Sequence, residues 1–394
     1  MRGRGALLLL FVALGPTASG AERLPGPKPP DIFAEAAVLV EHRTGAVLFA
    51  KNPTKKMYPA SLTKLLTALV VVRSVRDLSE PVTVSERAAR TPASTASLRP
   101  GERLTVKGLL LAALVRSAND ACVALAEHVA GSVRRFASLM NYEARSLGCG
   151  RSHFVNPHGL HDPHHYSCAI DLAKIARAAM SEPVIRGIVG RKFVTIESMG
   201  GPRRVYKNRN KLLWRYPGAD GVKTGYTREA GRCLIGSARR GRMRLIAVVL
   251  KSPDPYADCE SLLDWGFSNF SLRLALRRGE VVGRAKVEGG KPGEIAVVVA
   301  EEGYVVVEKG ARKPKVSLRL RRLKPPICRG EIVGEAVLVG VGSSTVPLVA
   351  GSSSDPVPLG GRRAMALGAL LLVLLLLGAR RARGRKRRQS TSAW

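Results

Sequence analysis

The segment Ser61 to Val72 reads as a helix that is apolar nearly all round. Such a helix has no face to give to water, so it must lie inside a domain and be covered on every side. Its one cation, Lys64, is carried inward with it. At 394 residues, 45% hydrophobic and 24% charged, the chain is long enough to bury this helix in one large domain and to build a smaller one besides.

Short strand-like runs stand on both sides of the helix in the sequence. Ala36–Val40 and Ala46–Phe49 flank a turn at Arg43-Thr44-Gly45 and read as a hairpin. Gly221–Tyr226, Leu234–Ala238 and Leu245–Leu250 read as a meander returning to the same sheet. Between these groups, Leu109–Val115 and Ala121–Val129 are core helices joined by a polar corner at Arg116–Asn119. Residues 153–165 form a loop crowded with His, Pro and Asn, Ile170–Met180 returns to helical spacing, and Ala257–Phe267 closes the domain. Strand runs enclosing a helical insert indicate an α+β domain with an antiparallel sheet and a helical subdomain, spanning 30–272. From 277 to 341 short alternating strands with Gly turns predict a small all-β domain. Within it Val316, Leu318 and Leu320 alternate with Ser317, Arg319 and Arg321, giving one apolar and one basic face. Residues 342–361, rich in Ser, Gly and Pro, read as a flexible linker.

The two ends have the composition of export and anchoring segments. Arg2 and Arg4, the apolar run Ala6–Leu14 and the small residues Ala18–Ala21 are ordered as a signal peptide over residues 1–21. Ala364–Ala379 is an unbroken apolar or small-residue run, about 24 Å long as a helix, and reads as a transmembrane helix with snorkelling arginines at its ends. The basic tail 380–394 is expected in the cytoplasm and the folded body on the extracytoplasmic side of the cell membrane. Removing the two arginines of residues 1–21 and the nine Lys or Arg of residues 362–394 from the net charge of +34 leaves +23 on the body. For an exported body, that charge suits contact with anionic wall polymers or lipids rather than nucleic acid. The six cysteines are widely spaced with no C-x-x-C pair, so they specify no metal site and require no disulfide.

Three short motifs carry chemistry. In Ser61-Leu62-Thr63-Lys64 the serine and lysine share a helix face. A lysine in apolar surroundings loses affinity for its proton, and a neutral amine beside a hydroxyl is a general base. Ser117-Ala118-Asn119 occupies the helix corner, and Lys223-Thr224-Gly225 lies on a strand. No cofactor is called for.

With these motifs in this order, the chain resembles the low-molecular-mass penicillin-binding D-alanyl-D-alanine carboxypeptidases, the S11 serine peptidase family. The likeness extends to Met57–Lys64, Ser117–Ala121, Phe154–Leu160, His165-Tyr166-Ser167 and Asp220–Thr227. It implies the penicillin-binding, β-lactamase-like transpeptidase fold and removal of the terminal D-alanine from peptidoglycan stem peptides, with β-lactam antibiotics as inhibitors. By resemblance, Ser61 is the nucleophile and Lys64 accepts its proton. Ser117 relays the proton to the leaving amine, and Asn119 holds Lys64. Lys223 and Thr224 bind the terminal carboxylate, and Gly225 leaves space for the peptide to add as a strand. The Ser61 and Tyr226 main-chain N–H groups form the oxyanion hole. Ala118 stands where class A β-lactamases have Asp, as is usual in the carboxypeptidases.

Rival chemistries meet specific obstacles. A class A β-lactamase needs a Glu in a Glu-x-x-x-Asn context, and no Glu lies between Glu143 and Glu182. A zinc peptidase is suggested by His153, His158, His161, His164 and His165, yet there is no H-E-x-x-H, and the serine family's own loop accounts for them. A non-catalytic wall-binding tether conflicts with the intact Ser61, Lys64, Ser117, Asn119 and Lys223. Carboxypeptidase action is the expected reaction, with endopeptidase action on cross-links as its alternative, since both break a D,D-peptide bond.

Overall fold

A computed structural model describes residues 27–311 and 314–357. Its centre is a five-stranded antiparallel sheet in the order Val47–Lys51, Ala36–Glu41, Met243–Leu250, Gly231–Arg240, Ala219–Thr227. The first hairpin and the later meander thus join as expected, through the register Ala36↔Leu250 to Glu41↔Leu245. Strand alternation sorts these residues into two cores. Val38, Val40, Ile246 and Val248 face the helical subdomain, whereas Ala37, Leu39, Leu245, Ala247 and Val249 face the helix Pro255–Asn269. Because both faces are covered, the inner strands are apolar over their central residues, with charged residues kept to their ends.

The helix Lys64–Ser74 is buried from Lys64 to Val71, preceded by a 3-10 turn at Ala60–Thr63. Each of its buried leucines and valines, Leu65 to Val71, contributes about 1.5–3 kcal/mol, which is what holds Lys64 away from water. Helices Asn119–Ala130, Val133–Ser146 and Ala169–Ser181 pack around it.

The small all-β domain is present, with two departures from expectation. Its first strand is Phe270–Leu276, paired with Gly303–Glu308, so β structure starts ahead of residue 277. The expected linker at 342–361 is instead, over Gly342–Ala350, a strand between Ile332–Gly340 and Glu294–Val299. Its Ser and Gly content hid a period of two: Val346, Leu348 and Ala350 are buried while Ser343 and Thr345 are not. Val316, Leu318 and Leu320 sit on an edge strand and stay about 40% exposed, so that strand's apolar row is only partly covered. Arg43, in the first hairpin's turn, reaches across to the small domain, 3.6 Å from Glu302 and over the Tyr304 ring.

The expected signal peptide 1–21, the transmembrane run 364–379 and the tail 380–394 lie outside the described residues. Among the described residues no helix is long and apolar enough to cross a membrane. All six cysteines are free, five of them buried.

Candidate active site

Three elements converge on Ser61. The 3-10 turn carries it half-buried at the mouth of the buried helix, after Ala60 in a left-handed conformation with φ 47°. The second element is the corner. Helix Val106–Leu111 widens into a π-turn at Ala112–Arg116, Ser117 takes a left-handed φ of 67°, and Asn119 opens the next helix. That combination points Ser117 and Asn119 inward at a cost of order 1–3 kcal/mol in backbone strain, met by the surrounding packing. The third is the edge strand Ala219–Thr227, whose outer side has no strand beside it among the described residues.

Lys64 Nζ lies 2.8 Å from Ser61 Oγ, 2.7 Å from Asn119 Oδ1 and 2.8 Å from the His158 carbonyl oxygen. Asn119 is oriented by its own Nδ2, which donates to Pro92 O at 2.8 Å, so its oxygen faces the lysine. Two of the three partners are therefore pure acceptors, and the third is a hydroxyl. A neutral amine has two N–H groups for Asn119 and His158 and one lone pair for the Ser61 hydroxyl proton. Burial is the main cause that lowers the Lys64 pKa, to about 8, with Arg209 acting in the same sense and Asp120 against it. The site thus accommodates the neutral amine that a general base requires, and burial favours that form.

Lys223 forms a second serine–lysine couple. Its buried Nζ donates to Ser117 Oγ at 2.9 Å and to Thr224 O at 3.0 Å. Burial, followed by the nearby Lys64 charge, holds its pKa well below the ordinary lysine value. The cation that lines the open cavity is a different one, Arg209. This cavity, of about 280 Å³, is bounded by Ser61, Ser117, Asn119, Arg209, Thr224 and Tyr226 among others. Arg209 was absent from the sequence expectations, because an arginine in a basic stretch with no motif around it carries no signal. Gly225 lines the cavity too, but a Cβ there would meet Pro59 O at 3.1 Å and Ala60 Cβ at 3.2 Å. Its smallness lets the strand close on the nucleophile turn. Tyr226 is exposed at the cavity's rim.

The cavity's opposite wall is the loop around Ala93 and Ser94. Asp120, fully buried, holds that loop by accepting from Thr95 Oγ1 and from the Ala96 and Leu98 N–H groups, at 3.0 and 3.1 Å for the last two. The histidine-rich segment serves as scaffold. His165 accepts from Val155 N–H at Nδ1 and so donates from Nε2 to Thr63 Oγ1, 2.8 Å away. His158 accepts from Leu160 N–H. Burial drives both rings to the neutral form, with pKa values of about 4 and about 3 respectively.

Comparison with known proteins agrees with this arrangement. Residues 25–254 match the Peptidase S11 family, described as D-alanyl-D-alanine carboxypeptidase, and residues 270–354 match the penicillin-binding protein 5 C-terminal domain. The chain is 36% identical over 315 residues to D-alanyl-D-alanine carboxypeptidase DacF of Bacillus subtilis, covering 77% of this chain and 81% of that one. It is 36% identical to D-alanyl-D-alanine carboxypeptidase DacD of Escherichia coli, over 84% and 88% of the two chains. The crystal structure of penicillin binding protein 5 from Haemophilus influenzae superposes with a TM-score of 0.74 at 32% identity, covering 84% of this chain and all of that one. A serine held by a buried lysine, a Ser/Asn corner and a Lys-Thr-Gly edge strand, on this fold and at this similarity, place the chain in the S11 family of serine D-alanyl-D-alanine carboxypeptidases.

Proposed function

We propose that the enzyme removes the terminal D-alanine of peptidoglycan stem pentapeptides through an acyl-enzyme on Ser61. The observation that carries this reading is the placement of Lys64 Nζ against one hydroxyl and two obligate acceptors. Lys64 takes the Ser61 proton as Oγ attacks the carbonyl of the penultimate D-alanine. Ser117, its oxygen held by Lys223 Nζ, is placed to pass a proton to the leaving amine. The Ser61 and Tyr226 N–H groups receive the developing oxyanion, each such donor worth about 3–4 kcal/mol. Arg209 and Thr224 line the position of the terminal carboxylate. Water then releases the acyl group, and a β-lactam, whose leaving group stays attached, blocks that release.

Mass spectrometry of peptidoglycan fragments before and after incubation tests the reaction. Loss of one alanine from pentapeptides is expected, whereas splitting of cross-linked dimers without that loss would replace this reading by endopeptidase action.

Two further outcomes arise from the site. The neutral fraction of Lys64 grows as pH rises through about 8. The rate constant for acylation by a penicillin should therefore climb about tenfold per pH unit well below that value and level off above it. A profile that is flat from pH 6 to 8 in stopped-flow measurements would exclude Lys64 as the base. Arg209→Gln removes a charge-assisted contact to the terminal carboxylate, worth about 1.5–3 kcal/mol. A fall in kcat/KM of about 10- to 100-fold is expected for the acid substrate, with no further fall for a substrate whose terminal carboxylate is amidated. Equal losses on both substrates would show that Arg209 does not read the carboxylate.

The sequence of the two ends supports an exported enzyme anchored by one pass at 364–379, with its catalytic body on the extracytoplasmic side. Release of the full-length chain from membranes by carbonate would remove the anchor.

A further inference from the structure

The hairpin Phe193–Glu197 and Arg203–Lys207 packs beside the Ser117 corner and has two unlike faces. Its inner face is secured: Val194 and Ile196 are buried, and Tyr206 Oη donates to Ala96 O at 2.8 Å in the loop that walls the cavity. Its outer face serves no core and mixes apolar with charged side chains: Phe193 and Val205 share it with Thr195, Glu197, Arg203 and Lys207. Phe193 is 56% exposed and Val205 65%, and Phe193 meets the 39% exposed Trp214 edge to face, 6.1 Å between ring centres. Lys207 and Lys192 stand 5.1 and 5.7 Å from the Trp214 ring centre. Among the described residues, neither lysine is in an ion pair, nor is Arg203 on the same face. Exposed aromatic area rimmed by unpaired cations is costly to keep on a free surface and is the usual mark of a binding face.

The chain itself joins this face to the catalytic cavity. Lys207 ends the hairpin, Arg209 two residues later lines the cavity, and Trp214 follows on the short helix Leu212–Arg215. A ligand that bridges both places must be long, carry anionic groups and offer flat apolar surfaces. A glycan strand with stem peptides meets all three conditions: pyranose rings present C–H faces to aromatic rings, and stem peptides carry free carboxylates.

We infer that the outer face of the 193–207 hairpin, with Trp214, is a docking surface for polymeric peptidoglycan, separate from the cavity that holds the D-alanyl terminus. The inference rests on the peptidoglycan reading above and adds a second contact to it. Polymer held at this face presents its stem peptides at a raised effective concentration, a gain that a free pentapeptide does not receive.

Two full-length variants test it in detergent micelles: Lys192→Glu/Lys207→Glu and Phe193→Ser/Trp214→Ala. Labelling by fluorescent penicillin and D-alanine release from a soluble N-acylated pentapeptide report on the catalytic reading alone, and both should match the parent enzyme. Sedimentation with purified peptidoglycan sacculi, and D-alanine release from them, should fall about tenfold in each variant, a loss of about 1.4 kcal/mol. Sacculus binding and turnover equal to the parent in either variant would overturn the inference. So would hydrogen exchange in phosphatidylglycerol nanodiscs showing residues 193–207 protected by lipid but not by sacculi, since the face would then belong to the membrane. If penicillin labelling or pentapeptide turnover falls in step with sacculus turnover, the face is part of the catalytic cavity's support and the inference also fails.

Discussion

Lys64→Met is expected to yield a folded enzyme that acylates about 10²–10⁴-fold more slowly, the range that a positioned general base supplies. The loss comes from chemistry rather than from collapse. Methionine fills nearly the same space, and removing a fully buried amine removes its desolvation penalty. Against that, Asn119 Oδ1 and the His158 carbonyl lose their donor, at about 1–3 kcal/mol each. The terms oppose one another, so thermal unfolding should shift by only a few degrees. Stopped-flow labelling with a fluorescent penicillin, beside a thermal melt, reads both quantities. Labelling that stays within tenfold of the parent would move the base to the other buried couple, Ser117 and Lys223, in which Lys223 Nζ lies 2.9 Å from Ser117 Oγ.

That the two couples differ in accessibility was not legible in the sequence, although their residues were. Spacing placed Ser61 and Lys64 on one helix face, and the apolar run implied a neutral lysine; the structure adds Asn119 and His158 O as the acceptors that define its proton inventory. The central sheet was legible because its inner strands have apolar runs on both faces and clear turns bound them. The strand Gly342–Ala350 was not, because Ser and Gly on its solvent side outweighed the alternating Val346, Leu348 and Ala350. Phe270–Leu276 directly continues the helix that ends at Asn269, with no Gly or Pro to mark the change. Arg209 and the Asp120-held loop were missed for a different reason. Their roles come from tertiary placement, Arg209 by facing the cavity and Asp120 by gathering N–H groups from residues 96 and 98. Neither property has a local pattern.

Gly159→Ala should damage the enzyme as severely as loss of the base, by a structural route. Gly159 has φ 83°, where an L-residue is strained by about 1–2 kcal/mol. The larger effect is steric. A Cβ at this position would lie 1.8 Å from the Ala60 carbonyl oxygen and 2.8 Å from Thr63 Oγ1, so one backbone or the other has to move. Neither is free to do so. Ala60 precedes the nucleophile in its own left-handed conformation, and Thr63 is tied to His165. On the other side, the His158 carbonyl must stay 2.8 Å from Lys64 Nζ. Relief by moving the 158–160 turn breaks that bond, and relief by moving Ala60 displaces Ser61. With overpacking costing about 1–3 kcal/mol in addition to the strain, the variant should lose about 2–5 kcal/mol of stability. In the fraction that remains folded, penicillin labelling should fall by at least about 10²-fold, since a misplacement of about 1 Å is enough for that. Denaturant unfolding and labelling rates normalised to folded protein separate the two effects. A variant with the parent's midpoint and labelling rate would mean that the turn and the nucleophile are not in contact, and the close approach of Gly159 to Ala60 would have to be abandoned as the feature that seats Ser61.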